Sequence, residues 1–302
     1  MEQRRVLVTG ASGFIGRHVL CDLVSCGYAV HATGRTVLAD PSRAVQWHAA
    51  DLLFPGAAEA LIREVRPSHL LHLAWTATPG AFWTAPENLD WVAASITLYR
   101  AFVAAGGRRA VLAGTCAEYD WSDPLLDEQT TPCAPGTLYG AAKDALHRVL
   151  RQAAADDGVA LAWGRVFWLY GPHEARARLV PSVVLPLLRG EPALCGDGTA
   201  ERDFMHVADV ARALTMTLDS DYAGPVNLAS GICVPVGDII GLIAERIGRR
   251  DLVRLGARAS RPDEPRRLAA AVTILRDRIG FVPRHDLAEG LEATIAWWRD
   301  RL

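Results

Sequence analysis

Several signals that would narrow a protein's role are missing from this chain. Its six cysteines, at 21, 26, 116, 133, 195 and 233, form no Cys-x-x-Cys pair and no spacing that suggests a metal site. We therefore expect reduced thiols and no metal. Lysine plus arginine total 32 against 34 aspartate plus glutamate, a formal charge of −2, so no excess of basic residues points to nucleic acid. No apolar run reaches the roughly 18 residues of a membrane span, and no signal-peptide apolar region precedes Val6-Leu7-Val8. The expectation is a cytoplasmic protein with neither a membrane nor a nucleic acid as partner.

What is present is a core. The chain has 302 residues, half of them hydrophobic, enough for one large α/β domain or two smaller ones sharing a core. Its first half alternates short apolar runs with longer helical stretches. Strands are expected at Val6–Val8, Tyr28–Ala32, Ala44–His48, His69–Leu73, Ala110–Ala113 and Val159–Val166. Helices are expected at Phe14–Cys26, Asn88–Ala105 and Leu138–Asp156. Such alternation predicts a doubly wound parallel sheet, an α/β Rossmann fold, with ligands at the carboxyl ends of the strands. After about Gly171 proline and glycine become frequent, and two helical pieces remain, Val236–Ile247 and Leu287–Trp298. This predicts a smaller C-terminal substrate-binding region. The division expected is 1–167 plus about 206–230 for the dinucleotide-binding domain, and 168–205 plus 231–302 for the smaller one.

Thr9-Gly10-Ala11-Ser12-Gly13-Phe14-Ile15-Gly16 lies between the first strand and the first helix. Gly10 permits a tight turn, Gly13 lets backbone approach a pyrophosphate, and Gly16 lets the helix pack closely on the strand. The positive end of that helix then faces the phosphates. The spacing resembles the TGxxGFIG loop of the extended short-chain dehydrogenase/reductases, the nucleotide-sugar-modifying epimerase/dehydratase family. At the end of the second strand, where an acid would hold the ribose of NAD, stands Arg35. A guanidinium suits a 2′-phosphate, so NADP is the expected cofactor, with NAD possible. The resemblance adds Asp51-Leu52 as an adenine-contacting pair. It implies a cofactor site of Gly10, Ser12, Gly13, Phe14, Ile15, Gly16, Arg35, Asp51, Leu52, Leu73, Ala74, Tyr139 and Lys143.

Tyr139 and Lys143 are four residues apart and share one face of the predicted helix, while Thr115 ends the preceding strand. This Thr, then Tyr-x-x-x-Lys, after such a loop, resembles the family's catalytic triad. Moving a hydride between a carbinol and a ketone also moves a proton. A free tyrosine titrates near 10, and a neighbouring ammonium would lower it. Thr115 would bond the substrate oxygen, and the family implies that Lys143 holds the nicotinamide ribose.

Glu201-Arg202-Asp203-Phe204-Met205-His206-Val207-Ala208-Asp209-Val210 resembles the family's RDFxHVxDV segment. By that resemblance Arg202 contacts the diphosphate of a nucleotide sugar, and Arg261 is a second phosphate-binding arginine. Where the family usually has asparagines, the chain has Trp168 and Trp91. With Trp75 and Trp83 these predict an aromatic pocket. His173 stands where GDP-fucose synthase has an acid histidine, although that enzyme's partner cysteine falls at Ala117. The expected substrate-binding set is Trp75, Thr115, Trp168, His173, Arg202 and Arg261.

The Asp-Glu pair that dehydratases of the family carry after the threonine is replaced by Cys116-Ala117, and Glu118 would face elsewhere from an extended strand end. This leaves a 4-ketoreductase-like reaction at a sugar carbinol or ketone, towards which Arg35 tilts the reading, or a 4-epimerase with retained NAD. A reductase of non-sugar carbonyls and a non-catalytic NADP-binding sensor also stay open. The helices Asn88–Ala105 and Leu138–Asp156 resemble those of the family's four-helix dimer interface, so a homodimer is expected.

Overall fold

The computed structural model describes residues 4–38, 43–259 and 265–302. In its first half β1 (Arg5–Thr9), α1 (Gly16–Ser25), β2 (Ala29–Gly34), β3 (Val45–Ala49), α2 (Ala57–Val65), β4 (His69–His72), α3 (Glu87–Ala104) and β5 (Arg109–Thr115) follow in turn. A short β6 (Leu125–Leu126), α4 (Leu138–Asp157) and β7 (Ala160–Val166) come next. The remainder comprises β8 (Trp168–Tyr170), α5 (Leu179–Arg189), β9 (Ala193–Leu194), β10 (Glu201–His206), α6 (Val207–Asp219), β11 (Gly224–Leu228), β12 (Cys233–Pro235), α7 (Val236–Ile247), β13 (Val253–Arg254), β14 (Arg267–Ala270), α8 (Thr273–Asp277) and α9 (Leu287–Arg299).

Seven strands form one sheet in the order β3-β2-β1-β4-β5-β7-β11, every pairing parallel. Successive side chains of β1 serve opposite layers, as strand geometry requires. Val6 and Val8 pack with Val19, Leu23, Val210 and Leu214 of α1 and α6. Leu7 packs with Leu61, Leu98, Phe102 and Leu146 of α2, α3 and α4. β1 pairs with β2 on one side and β4 on the other. The connections diverge there, so a crevice opens at the carboxyl ends of β1 and β4.

The smaller region packs α5, α7 and α9 around Val183, Val184, Ile240, Leu291 and Trp298. Its strands run β12-β10-β14-β6, with β8 beside β10. The C-terminal stretch serves both regions, because Ile274, Leu275 and Phe281 join the core of the large sheet.

Some elements differ from the sequence reading. α1 starts at Gly16 rather than Phe14, because Gly10–Ile15 remain in the turn, where the Gly13 amide bonds the Gly10 carbonyl at 2.9 Å. α2, α5 and α6 were not anticipated. α2 is a nine-residue helix between Gly56 and Arg66, both left-handed, too short to announce itself by periodicity. α5 tolerates Pro181 in its first turn, where no intrahelical partner is lost, and carries Pro186 in its interior.

Candidate active site

A cleft of about 800 Å³ opens at the crevice. One wall is the Gly10–Gly16 loop with Arg35, Asp51, Leu52, Leu73 and Ala74, the floor carries Thr115, Tyr139 and Lys143, and the smaller region contributes Trp168, Glu174, Arg178 and Phe204.

The loop fits a dinucleotide's phosphates. Gly10 is left-handed, at φ +67°, and a Cβ there would lie 2.8 Å from the Ala74 amide nitrogen. A Cβ on Gly16 would lie 2.2 Å from the Gly10 carbonyl oxygen. These two glycines let the turn close against β4. No side chain caps α1; the Arg17 and His18 amides bond the Gly13 and Ile15 carbonyls at 3.3 and 3.0 Å, and the positive end of the helix is directed at the cleft. Behind the loop Thr9 and the buried His72 are 2.6 Å apart, and His72 meets Ser95 at 2.9 Å. The Thr9 hydroxyl oxygen accepts from the Leu73 and Ala74 amides, so its own proton is directed at His72 Nδ1. Burial holds His72 down to about 3, which keeps the ring neutral. This chain pins the ends of β1 and β4 together. Sequence reasoning missed it, since a lone polar residue in an apolar strand carries no distinctive signal.

Arg35 is exposed beside the cleft. Asp51 accepts from the Leu53 amide at 3.1 Å, a local turn that shapes the rim, and Leu52 is buried in it.

Thr115 ends β5, and its Oγ1 accepts from the Ala117 amide at 3.2 Å. Thr137 caps α4 by accepting from the Gly140 amide at 3.1 Å. A Cβ on Gly140 would stand 2.2 Å from the Ala117 carbonyl oxygen, so glycine lets the first turn of α4 press onto the residues after Thr115. Tyr139 is thereby brought close to Thr115, and both line the cleft. One turn on, Lys143 is buried, and its Nζ donates to the Ala113 carbonyl at 2.6 Å. It is the only lysine in the chain. Burial pushes its pKa down to about 7.

The expected lowering of Tyr139 by Lys143 is not what the site produces. Burial raises the phenol above its ordinary value, with neighbouring Thr115 and Arg178 pulling it back. The reason is geometric, because Lys143 is turned to Ala113 and to the ring of Trp75, 3.8 Å from Nζ.

Glu118 faces the interior, away from the cleft. Its fully buried carboxylate accepts from the Thr115 amide at 2.8 Å, the Trp163 indole at 2.9 Å and Arg165 Nε at 2.8 Å. Burial raises the carboxyl's pKa, and these three donors act against it. Arg165 goes on to the Tyr119 hydroxyl at 3.0 Å, which donates to Asn227 Oδ1 at 2.7 Å.

The substrate residues expected from the sequence are only partly brought together. Trp75, Thr115 and Trp168 line the cleft. Arg202 is buried behind Trp168, 5.1 Å from its ring, and donates to the Glu201 carbonyl at 2.7 Å. His173 is outside the lining, bonded to Arg17 at 2.7 Å and packed 4.6 Å from Trp297. It joins the loop after β8 to α1 and α9. Arg261 lies outside the described residues. Glu174 and Arg178, which no motif or spacing singles out, stand on the cleft wall, and burial pushes Glu174 up to about 8. Among the described residues no group of three or more His, Cys, Asp or Glu could hold a metal, and no helix is long and apolar enough to cross a membrane.

The model of the NAD dependent epimerase/dehydratase family matches residues 6–229. The chain belongs to that family. It is similar to a UDP-glucose 4-epimerase of Azospirillum brasilense, 28% identical across 98% of this chain and 92% of that one. Among solved structures it is similar to MoeE5 in complex with UDP-glucuronic acid and NAD, 32% identical, covering 99% of this chain and 100% of that one, with a TM-score of 0.85. The UDP-glucose 4-epimerase of Thermus thermophilus in complex with NAD is 26% identical, with 99% and 100% covered and a TM-score of 0.86.

Proposed function

We propose that this protein carries out nicotinamide-dependent hydride transfer at a carbinol of a nucleotide-diphosphate sugar, and that the overall reaction is a 4-epimerisation. The observation that carries this reading is the convergence of Thr115, Tyr139 and Lys143 on the cleft beside the Gly10–Gly16 loop. The two residues after Thr115, Cys116 and Ala117, bear no carboxylate, and the next one, Glu118, is committed to the interior. Water elimination, which needs a further acid and base beside the threonine, therefore lacks its groups. Relatives that act on UDP-sugars support the substrate class.

In this reading the α1 N-terminus and Gly10–Gly16 hold the cofactor's phosphates, Asp51 and Leu52 its adenine side, Leu73 and Ala74 the crevice between, and Lys143 its nicotinamide ribose. A bound nicotinamide would supply the hydride acceptor and, on return, the hydride donor. Tyr139 takes the carbinol proton as the C–H hydride leaves, and gives it back when the ketone is reduced. Thr115 holds the same oxygen by a hydrogen bond. Because burial favours the neutral phenol, the base form needs positive charge nearby, which Arg178 and a protonated Lys143 supply. Trp168 offers a ring face to the substrate, and Arg202 is the proposed diphosphate partner.

One observation favours a second reading, a 4-ketoreductase. Arg35 beside the cleft is suited to a 2′-phosphate, and NADPH is a cofactor that a reductase exchanges. We also propose a homodimer through α3 and α4, on which Leu89 and Val149 are exposed at 61% and 52%.

Replacing Tyr139 by Phe is expected to lower turnover of a nucleotide sugar by roughly a hundredfold or more with little loss of binding; near-normal turnover in steady-state assays would refute the assignment. Calorimetric titrations with NADP and NAD separate the two readings: the ketoreductase requires tighter NADP binding, a preference abolished in Arg35→Ala. Equal or tighter NAD binding by the native protein would leave retained-NAD epimerisation and remove the reductase reading. Sedimentation equilibrium is expected to return twice the chain mass, and a monomer mass would rule out the interface.

A further inference from the structure

We infer that Trp75 is a positioning residue for Lys143, its indole face holding the chain's only lysine as a cation in the cleft. Lys143 Nζ lies 3.8 Å from the centroid of the Trp75 ring and donates to the Ala113 carbonyl at 2.6 Å. A ring face attracts a cation through its quadrupole, most strongly for tryptophan and where water is excluded. Lys143 meets the second condition, being 4% exposed.

The indole is fixed in place. Its Nε1 donates to Asn88 Oδ1 at 2.8 Å. Asn88 is fully buried, and its amide nitrogen donates to the carbonyls of Phe82 at 2.9 Å and Ala85 at 2.8 Å. Trp91 stacks on Trp75 with centroids 6.0 Å apart and planes inclined by 26°, and is itself tied to Thr76 Oγ1 at 2.9 Å. Turning the Trp75 ring would break the Asn88 bond and the stack together.

The other groups facing Lys143 do not replace this contact. Glu118, beyond the end of β5, raises the lysine's pKa, but its carboxylate is engaged by Arg165 and Trp163. His72 on β4 is neutral, its pKa held down by burial and by Lys143 itself. Tyr139, one turn earlier on α4, is a neutral phenol raised by burial. Burial alone works against the ammonium, and the indole face opposes it. The consequence rests on the proposed hydride-transfer chemistry, in which Lys143 adds to the effect of Arg178 on the Tyr139 phenolate only while it carries its proton. The contact itself does not depend on that reading.

Because the chain has a single lysine, growth on lysine labelled with 13C at Cε gives one NMR signal, whose pH titration reads Lys143 directly and needs no turnover. In Trp75→Leu the midpoint is expected to fall by about one pH unit, and in Trp75→Phe, with a smaller ring face, by less. The high-pH limb of the rate profile should move down with it. An unchanged or higher midpoint in a Trp75→Leu protein with native circular dichroism would overturn the inference. Should that variant not fold, Trp75→Phe decides, a midpoint equal to or above the native value being the contrary result. Absence of any turnover would count against the proposed function while leaving the titration intact.

Discussion

A single buried carboxylate holds the candidate site in register. Glu118 binds the Thr115 amide at the end of β5, the Trp163 indole on the neighbouring β7, and Arg165 two residues further along that strand. Arg165 extends the network through Tyr119 to Asn227 on β11, whose amide reaches the carbonyls of Leu126 and Ala271 beside the smaller sheet. Three adjacent strands and the edge of the second region are thus joined at one charge. Gly114 makes room for it, since a Cβ there would stand 2.1 Å from the Trp163 indole nitrogen and 2.5 Å from a Glu118 oxygen. Such an ion pair is expensive to desolvate and is retained only when every partner is in place.

The consequences for the cleft are indirect. Glu118 holds the Thr115 amide, and Thr137 and Gly140 press the first turn of α4, with Tyr139, onto the residues that follow Thr115. The carboxylate that fixes this geometry is turned from the cleft, and the proposed chemistry assigns proton transfer to the phenol. Burial opposes charge on both Tyr139 and Lys143. A site built this way needs a local source of positive potential at the phenol, which Arg178 supplies, while the Trp75 face steadies the Lys143 ammonium.

The parallel sheet, the glycine loop and the Thr115, Tyr139 and Lys143 set were legible in the sequence, because each is written in local periodicity or in short spacing. Gly10 and Gly16 stand where turn geometry demands glycine. Contacts between distant segments were not legible. Lys143 and Trp75 are far apart in the chain, and nothing in either segment announces that the ammonium will lie on the ring. His173 followed a family position, yet its left-handed backbone, at φ 72°, and its bond to Arg17 direct it to α1 rather than the cleft. Glu118 was expected to face elsewhere from an extended strand end; Cys116–Glu118 instead form a 3-10 turn, and its interior ion pair depends on Arg165, set by a strand pairing that periodicity alone does not give.

The central claim is that Glu118 is a structural clamp whose loss disorganises the site. Urea unfolding of Glu118→Ala tests it most directly. The account requires stability to fall by about 3–5 kcal/mol, the cost of leaving Arg165 buried without its partner, together with loss of turnover. Unchanged stability with lost turnover would contradict it, and would return Glu118 to the chemistry.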